Sequence, residues 1–131
     1  MNELNRKVGE MNHDGLITDL NPPVQVFGRT IAKTSADKLF KRGMIMARSE
    51  ANGNLYPLGS VPGASDTLTP DCVLCDDTLV TPGGNVNAAV YTAGCFDPGK
   101  ITVADGYTMT DEDMDELRMR NIVFRAAFAA N

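Results

Sequence analysis

Apolar residues in this chain recur at every second position, in short runs cut off by Gly, Pro or Asn. Val24, Val26, Gly28 and Thr30 alternate with Gln25, Phe27, Arg29 and Ile31. Val86, Ala88, Val90 and Thr92 alternate with Asn87, Ala89, Tyr91 and Ala93. Ile122, Phe124, Ala126 and Phe128 alternate with Val123, Arg125, Ala127 and Ala129. Successive side chains of a strand point to opposite faces, so a period of two marks half-buried strands. At 131 residues the chain has room for one domain. The expected fold class is mainly β with one short α-helix (α+β), a small compact β domain over residues 24–131 preceded by a flexible N-terminal arm over residues 1–23.

The connections are read from turn chemistry. Asn52-Gly53 separates Met44-Ile45-Met46-Ala47-Arg48 from Leu55-Tyr56-Pro57-Leu58. Asn-Gly between two apolar runs predicts a hairpin with positive φ at both turn residues. Pro57 places the second strand at an edge or ends it early. Residues 59–70 read as a loop, Cys72–Cys75 as a short buried strand, and Thr81-Pro82-Gly83-Gly84 as a turn. One helix is marked: Thr110 is the N-cap candidate, with Asp111, Glu112 and Asp113 in the first turn, where acids suit the helix dipole. Met109 and Met114 have the spacing of a hydrophobic staple. Glu116 can pair with Arg120, and Asn121 can end the helix. Its apolar face is thin: Met114, Leu117 and the stem of Arg118.

Residues 1–23 show neither period. Asn12-His13-Asp14-Gly15 and Asn21-Pro22-Pro23 punctuate a polar stretch, which reads as an arm that is extended or disordered until it meets a partner. Leu16, Ile17, Leu20, Val24 and Val26 give it a sparse apolar thread toward the domain.

Charge narrows the function classes. There are 12 basic and 17 acidic side chains, a net charge of −5. Such a chain is a poor nucleic-acid binder, since phosphate binding needs a cationic surface. The distribution is uneven: residues 27–60 carry six bases and two acids, residues 61–116 one base and eleven acids. Opposite-signed patches of this kind are either solvated surface or complementary faces between copies or with a scaffold. No stretch approaches the roughly 18–20 apolar residues of a membrane span. The first fifteen residues hold no apolar core of a secretory signal.

Catalytic chemistry finds little purchase. The one histidine, His13, lies in the arm, so a nucleophilic triad has no base in the domain. Neither phosphate-binding glycine motif is present. Asp76-Asp77 and the acids of the helix read as solvated loop acids and capping residues. Cys72-x-x-Cys75 resembles half of a zinc site, with Cys95 and His13 as the only further candidates. On a strand, a spacing of three puts the two thiols on opposite faces, which favours small buried hydrophobes. The expectation is no enzyme, no catalytic residue, no metal and no cofactor.

The succession Gly43-Met44-Ile45-Met46-Ala47, Asn52-Gly53-Asn54-Leu55-Tyr56-Pro57, Cys72-Val73-Leu74-Cys75-Asp76-Asp77 and Val86-Asn87-Ala88-Ala89-Val90-Tyr91-Thr92-Ala93-Gly94-Cys95-Phe96-Asp97 is followed by the acidic helix and Asn121-Ile122-Val123-Phe124. In order and spacing it resembles the bacteriophage lambda head decoration protein family, over residues 41–126. No single motif carries the resemblance. It implies a capsid cement: a homotrimer on threefold and quasi-threefold positions of the expanded head, clamping the major capsid protein against internal DNA pressure. It also implies a mobile arm that orders against the capsid as an added strand. The capsid-binding residues so implied are Gly15, Leu16, Ile17, Leu20, Pro22, Pro23, Val24 and Val26. No nucleic acid, membrane or small-molecule substrate is expected as a partner. The implied location is the outer surface of the virion capsid, after synthesis in the host cytoplasm. The three cysteines and the length of the polar arm depart from that family. Two alternatives stay open: another non-enzymatic tail or baseplate module, and a small zinc or thiol protein.

Overall fold

The structure, a computed structural model, describes residues 15–60 and 66–126. The first fourteen residues with His13, part of the 59–70 loop, and the continuation of the last strand beyond Ala126 lie outside the described residues. In chain order the elements are β1 (Ile17–Asp19), β2 (Gln25–Ile31), β3 (Lys38–Phe40), β4 (Ile45–Ser49), β5 (Leu55–Pro57), β6 (Leu68–Leu74), β7 (Thr78–Val80), β8 (Val86–Phe96), α1 (Asp111–Met119) and β9 (Ile122–Phe124). The fold is mainly β with one short helix, as the period-two runs require.

The long strand β8 organises the rest. It pairs antiparallel with β2 from Gln25–Ala93 to Ile31–Val86. β2 meets β5 in parallel at Ile31–Leu55, and β5 pairs with β4. β4 pairs with β6, and β6 returns to β8 through Val73–Tyr91 and Leu74–Val90. These pairings close a five-strand ring, a small barrel. Closure joins the two ends of the sheet, but β2 meets β5 only at Ile31, so the rest of its outer side has no strand partner among the described residues.

Alternation along the strands then splits the core in two. Met46, Cys72, Leu74 and Val90, with Ile31 and Leu55, form one buried cluster, closed by Phe40 and Val80 from the β3–β7 ribbon. Their neighbours Ile45, Ala47, Val73 and Tyr91 point the other way. They pack with Leu16, Ile17, Leu58, Phe96, Leu117 and Ile122 in the second cluster. That outer layer is supplied by β1, β9, α1 and the segment before the helix. Each fully buried aliphatic side chain there contributes about 1.5–3 kcal/mol of transfer free energy.

The hairpin of β4 and β5 forms in the expected place, but its turn differs. Arg48 pairs with Leu55, so six residues intervene, and Gly53 has φ of 77° while Asn52 is not among the positive-φ residues. The buried hydroxyl of Ser49 holds this longer loop. It donates to Asp66 at 2.5 Å and accepts from the amides of Ala51 and Asn52. A two-residue turn would forfeit those bonds. Pro57 does end its strand.

The helix starts where its caps require. The Thr110 hydroxyl accepts from the Asp113 amide at 3.1 Å, and the Asp113 carboxylate accepts from the Thr110 amide at 3.0 Å. Glu116 pairs with Arg120 at 3.0 Å, and Asn121, at φ of 68°, terminates the helix. Leu117 is its one buried side chain, whereas Met114 and Arg118, expected on the buried face, are exposed.

Candidate functional site

The residues expected to meet a capsid fall into two groups. Leu16 and Ile17 are core residues, 1% and 8% exposed. Ile17 pairs with Phe96 and Asp19 with Cys95, while the Leu16 carbonyl accepts from the Asp97 amide at 2.8 Å. The Thr18 hydroxyl donates to the Arg125 carbonyl at 2.8 Å, and Arg125 pairs with Asp19 at 3.3 Å. The domain therefore begins at or before Leu16, not at Val24, and Leu16 and Ile17 are unavailable to a partner. The physical reason is that a mixed stretch holding two adjacent large aliphatics covers the outer layer of the barrel better than water does. Gly15 packs on the Lys100 stem, and Val24 packs on the core beside Gly94. Pro22 is half-buried after a cis Asn21–Pro22 bond, and Pro23 is exposed.

The outward-facing members are Leu20, 79% exposed, and Val26, 53% exposed. Phe27, which is not among the residues expected to meet a partner, is 51% exposed, with the Arg29 guanidinium 5.5 Å from its ring centroid. The chain from Ile17 to Ile31 follows β8 antiparallel, with an excursion at residues 20–24. Away from β8, β2 has a strand partner only at Ile31 among the described residues, and β1 has none. A strand edge without a strand partner among the described residues, flanked by Leu20, Val26 and Phe27, is suited to take an added strand.

A second surface lies on the β3–β7 ribbon. Leu39 and Leu79 sit directly opposite each other and are both more than half exposed. Leu39 also lines an open groove of about 670 Å³, with Lys33, Lys38, Phe40, Met44 and Tyr56. Three-residue strands are too short to show a period, which is why neither leucine stood out in the sequence.

The thiols are placed apart. Cys72 belongs to the inner cluster and Cys75 to the outer one, the opposite faces that their spacing predicts. All three cysteines are buried and free. Burial pushes the Cys72 thiol well up, aided by the neighbouring Asp71 charge. Burial, with Asp76 beside it, raises Cys75 to about 12. Thiols held in their protonated form are poor nucleophiles. Among the described residues, no three His, Cys, Asp or Glu side chains converge as a metal site. Beside Cys75, Arg42 donates to the Tyr91 hydroxyl at 2.6 Å and to the Cys75 carbonyl at 2.9 Å. Those bonds satisfy a guanidinium and a phenol at the barrel wall, which is the work of a structural pair.

No family model, curated protein or solved structure matches this chain.

Proposed function

We propose that the chain is a phage head decoration protein, a trimeric cement on the outer surface of the expanded capsid that holds the major capsid protein against internal DNA pressure. The order of signatures from Gly43 to Phe124 supports the family reading. The observation that carries the binding mode is the edge of β1 and β2 that has no strand partner among the described residues beyond Ile31, with Leu20, Val26 and Phe27 exposed beside it. A cement needs main-chain hydrogen bonds and apolar anchors rather than catalysis, and an edge strand supplies both. Since Leu16 and Ile17 are held in the core, the docking residues are those that face outward: Leu20, Pro23, Val26 and Phe27. Three edges per trimer multiply a modest single contact.

The test is to mix the purified protein with undecorated expanded heads and count the copies bound. Wild type is expected to saturate at three copies per threefold and quasi-threefold site. Phe27→Asp and Leu20→Asp, both on exposed positions, should change stability by about 0.5 kcal/mol or less while reducing head binding at least tenfold. Binding to tails and not to heads, or undiminished head binding by both variants, would refute the reading.

A further inference from the structure

Among the described residues, the outward face of helix α1 is exposed. Leu117 turns inward against the core, and Glu112, Asp115 and Met119, at i, i+3 and i+7, share the opposite side. Met119 is 74% exposed, and Asp115 pairs with the exposed Arg118 at 2.9 Å. This is an acidic stripe ending in a large apolar side chain. Its complement is on the same molecule. The groove beside the β3–β7 ribbon is lined by both apolar and polar residues, among them Leu39, Met44 and Tyr56, with Lys33 and Lys38. Asp105 comes from the other wall, the segment that bonds to Leu58 through the Ala104 amide. The groove cannot be filled by the chain's own helix. Tyr107 lies against Gly59 of the groove wall and hydrogen-bonds Asp113, which fixes the helix start beside the groove with Leu117 facing inward.

We infer that the groove is the seat for helix α1 of a second copy: Met119 packs on the exposed Leu39, while Glu112 and Asp115 meet Lys33 and Lys38. The inference rests on the homotrimer of the proposed function and names its contact. Groove and helix are different surfaces of one chain, so the contact is head-to-tail, and such contacts close into rings when the rotation permits. Each copy then presents its groove to one neighbour and its helix to the other. Opposite charges across the contact select this pairing over groove against groove, which would set lysines against lysines. The same charges make assembly weaken as salt rises.

Sedimentation equilibrium of the full chain tests this, with circular dichroism to establish that each variant is folded. Wild type should be trimeric. Lys33→Glu with Lys38→Glu should raise the dissociation constant at least tenfold, and so should Glu112→Lys with Asp115→Lys. Combining all four reverses both faces at once and should restore the trimer. Met119→Asp and Leu39→Asp, on exposed positions, should each dissociate it without loss of fold. A stable trimer that all these variants leave intact would overturn the contact while leaving the cement reading standing. A monomeric wild type that still decorates heads would overturn this inference and also remove the trimer from the proposed function.

Discussion

Leu16→Ala measures where the domain begins. Leu16 is 1% exposed and packs in the outer cluster with Ile17, Phe96 and Ile122. Its δ-carbon also approaches the space beside Gly43, so the side chain bridges β1 to the segment leading into β4. Truncating a buried leucine to alanine costs about 2–5 kcal/mol, from lost transfer free energy and the cavity left behind. With unfolding entropy of about 2.1 cal/mol/K per residue, a domain of this size has roughly 0.25 kcal/mol/K at its midpoint. The expected fall in Tm is therefore about 8–20 °C. Thermal unfolding followed by circular dichroism, with urea titration as a second measure, reads it directly. Two truncations sharpen the result. Removing residues 1–14 leaves every described core residue in place and should shift Tm little. Removing residues 1–19 deletes Leu16, Ile17 and β1 and should cost at least as much as the point variant. An arm free through residue 23 would predict that neither Leu16→Ala nor the longer truncation matters. A change in Tm below about 2 °C in both, less than 1 kcal/mol on the same scale, would refute the packing of β1.

Thr110→Ala removes the acceptor for the Asp113 amide and should cost about 0.5–2 kcal/mol, read as a lower urea midpoint with unchanged m. Gly59→Ala should be worse than an ordinary surface change. Gly59 has φ of 96°, and a Cβ there overlaps the Tyr107 ring; the left-handed conformation alone costs about 1–3 kcal/mol, and differential scanning calorimetry should show the loss. Alkali should weaken the fold. Cys75 titrates near 12 when folded against an ordinary value of 9.0, and Cys72 is raised too. The folded chain thus holds protons that the unfolded chain releases above 9, so stability is complete below pH 9 and falls from there toward 12. Unfolding free energies measured from pH 8 to 11 should decline, and less so in Cys75→Ala; a flat profile would contradict the burial of these thiols. At pH 8 the three thiols should react with a disulfide reagent only as fast as the protein unfolds.

Local chemistry was legible from the residues alone. The runs Val24–Ile31 and Val86–Ala93 marked β2 and most of β8, although β2 is buried only at its Ile31 end and its other residues stay exposed or half-buried. Thr110 with Asp113 marked the helix start, because four amides need acceptors within one turn. The spacing of Cys72 and Cys75 assigned them to opposite faces, and they do lie in different clusters, although β6 ends at Leu74 and Cys75 follows just beyond it. Asn121 ended the helix, because few other non-glycine residues accept a left-handed conformation. What the tertiary structure decided was long-range. Ile17–Asp19 is too short and too polar to show a period, and it becomes a strand only because β8 extends far enough to pair with it. The same holds for β3 and β7, which have three residues each and acquire their faces from each other and from the barrel end they close. The six-residue connection around Gly53 follows from the Ser49–Asp66 bond, whose partners are seventeen positions apart. Ring closure, the division of one apolar set into two cores, and the exposure of Phe27, Leu39 and Leu79 depend on which strand lies beside which. A period reports only that a residue has two faces; which face meets protein and which meets water is settled by its neighbours in space.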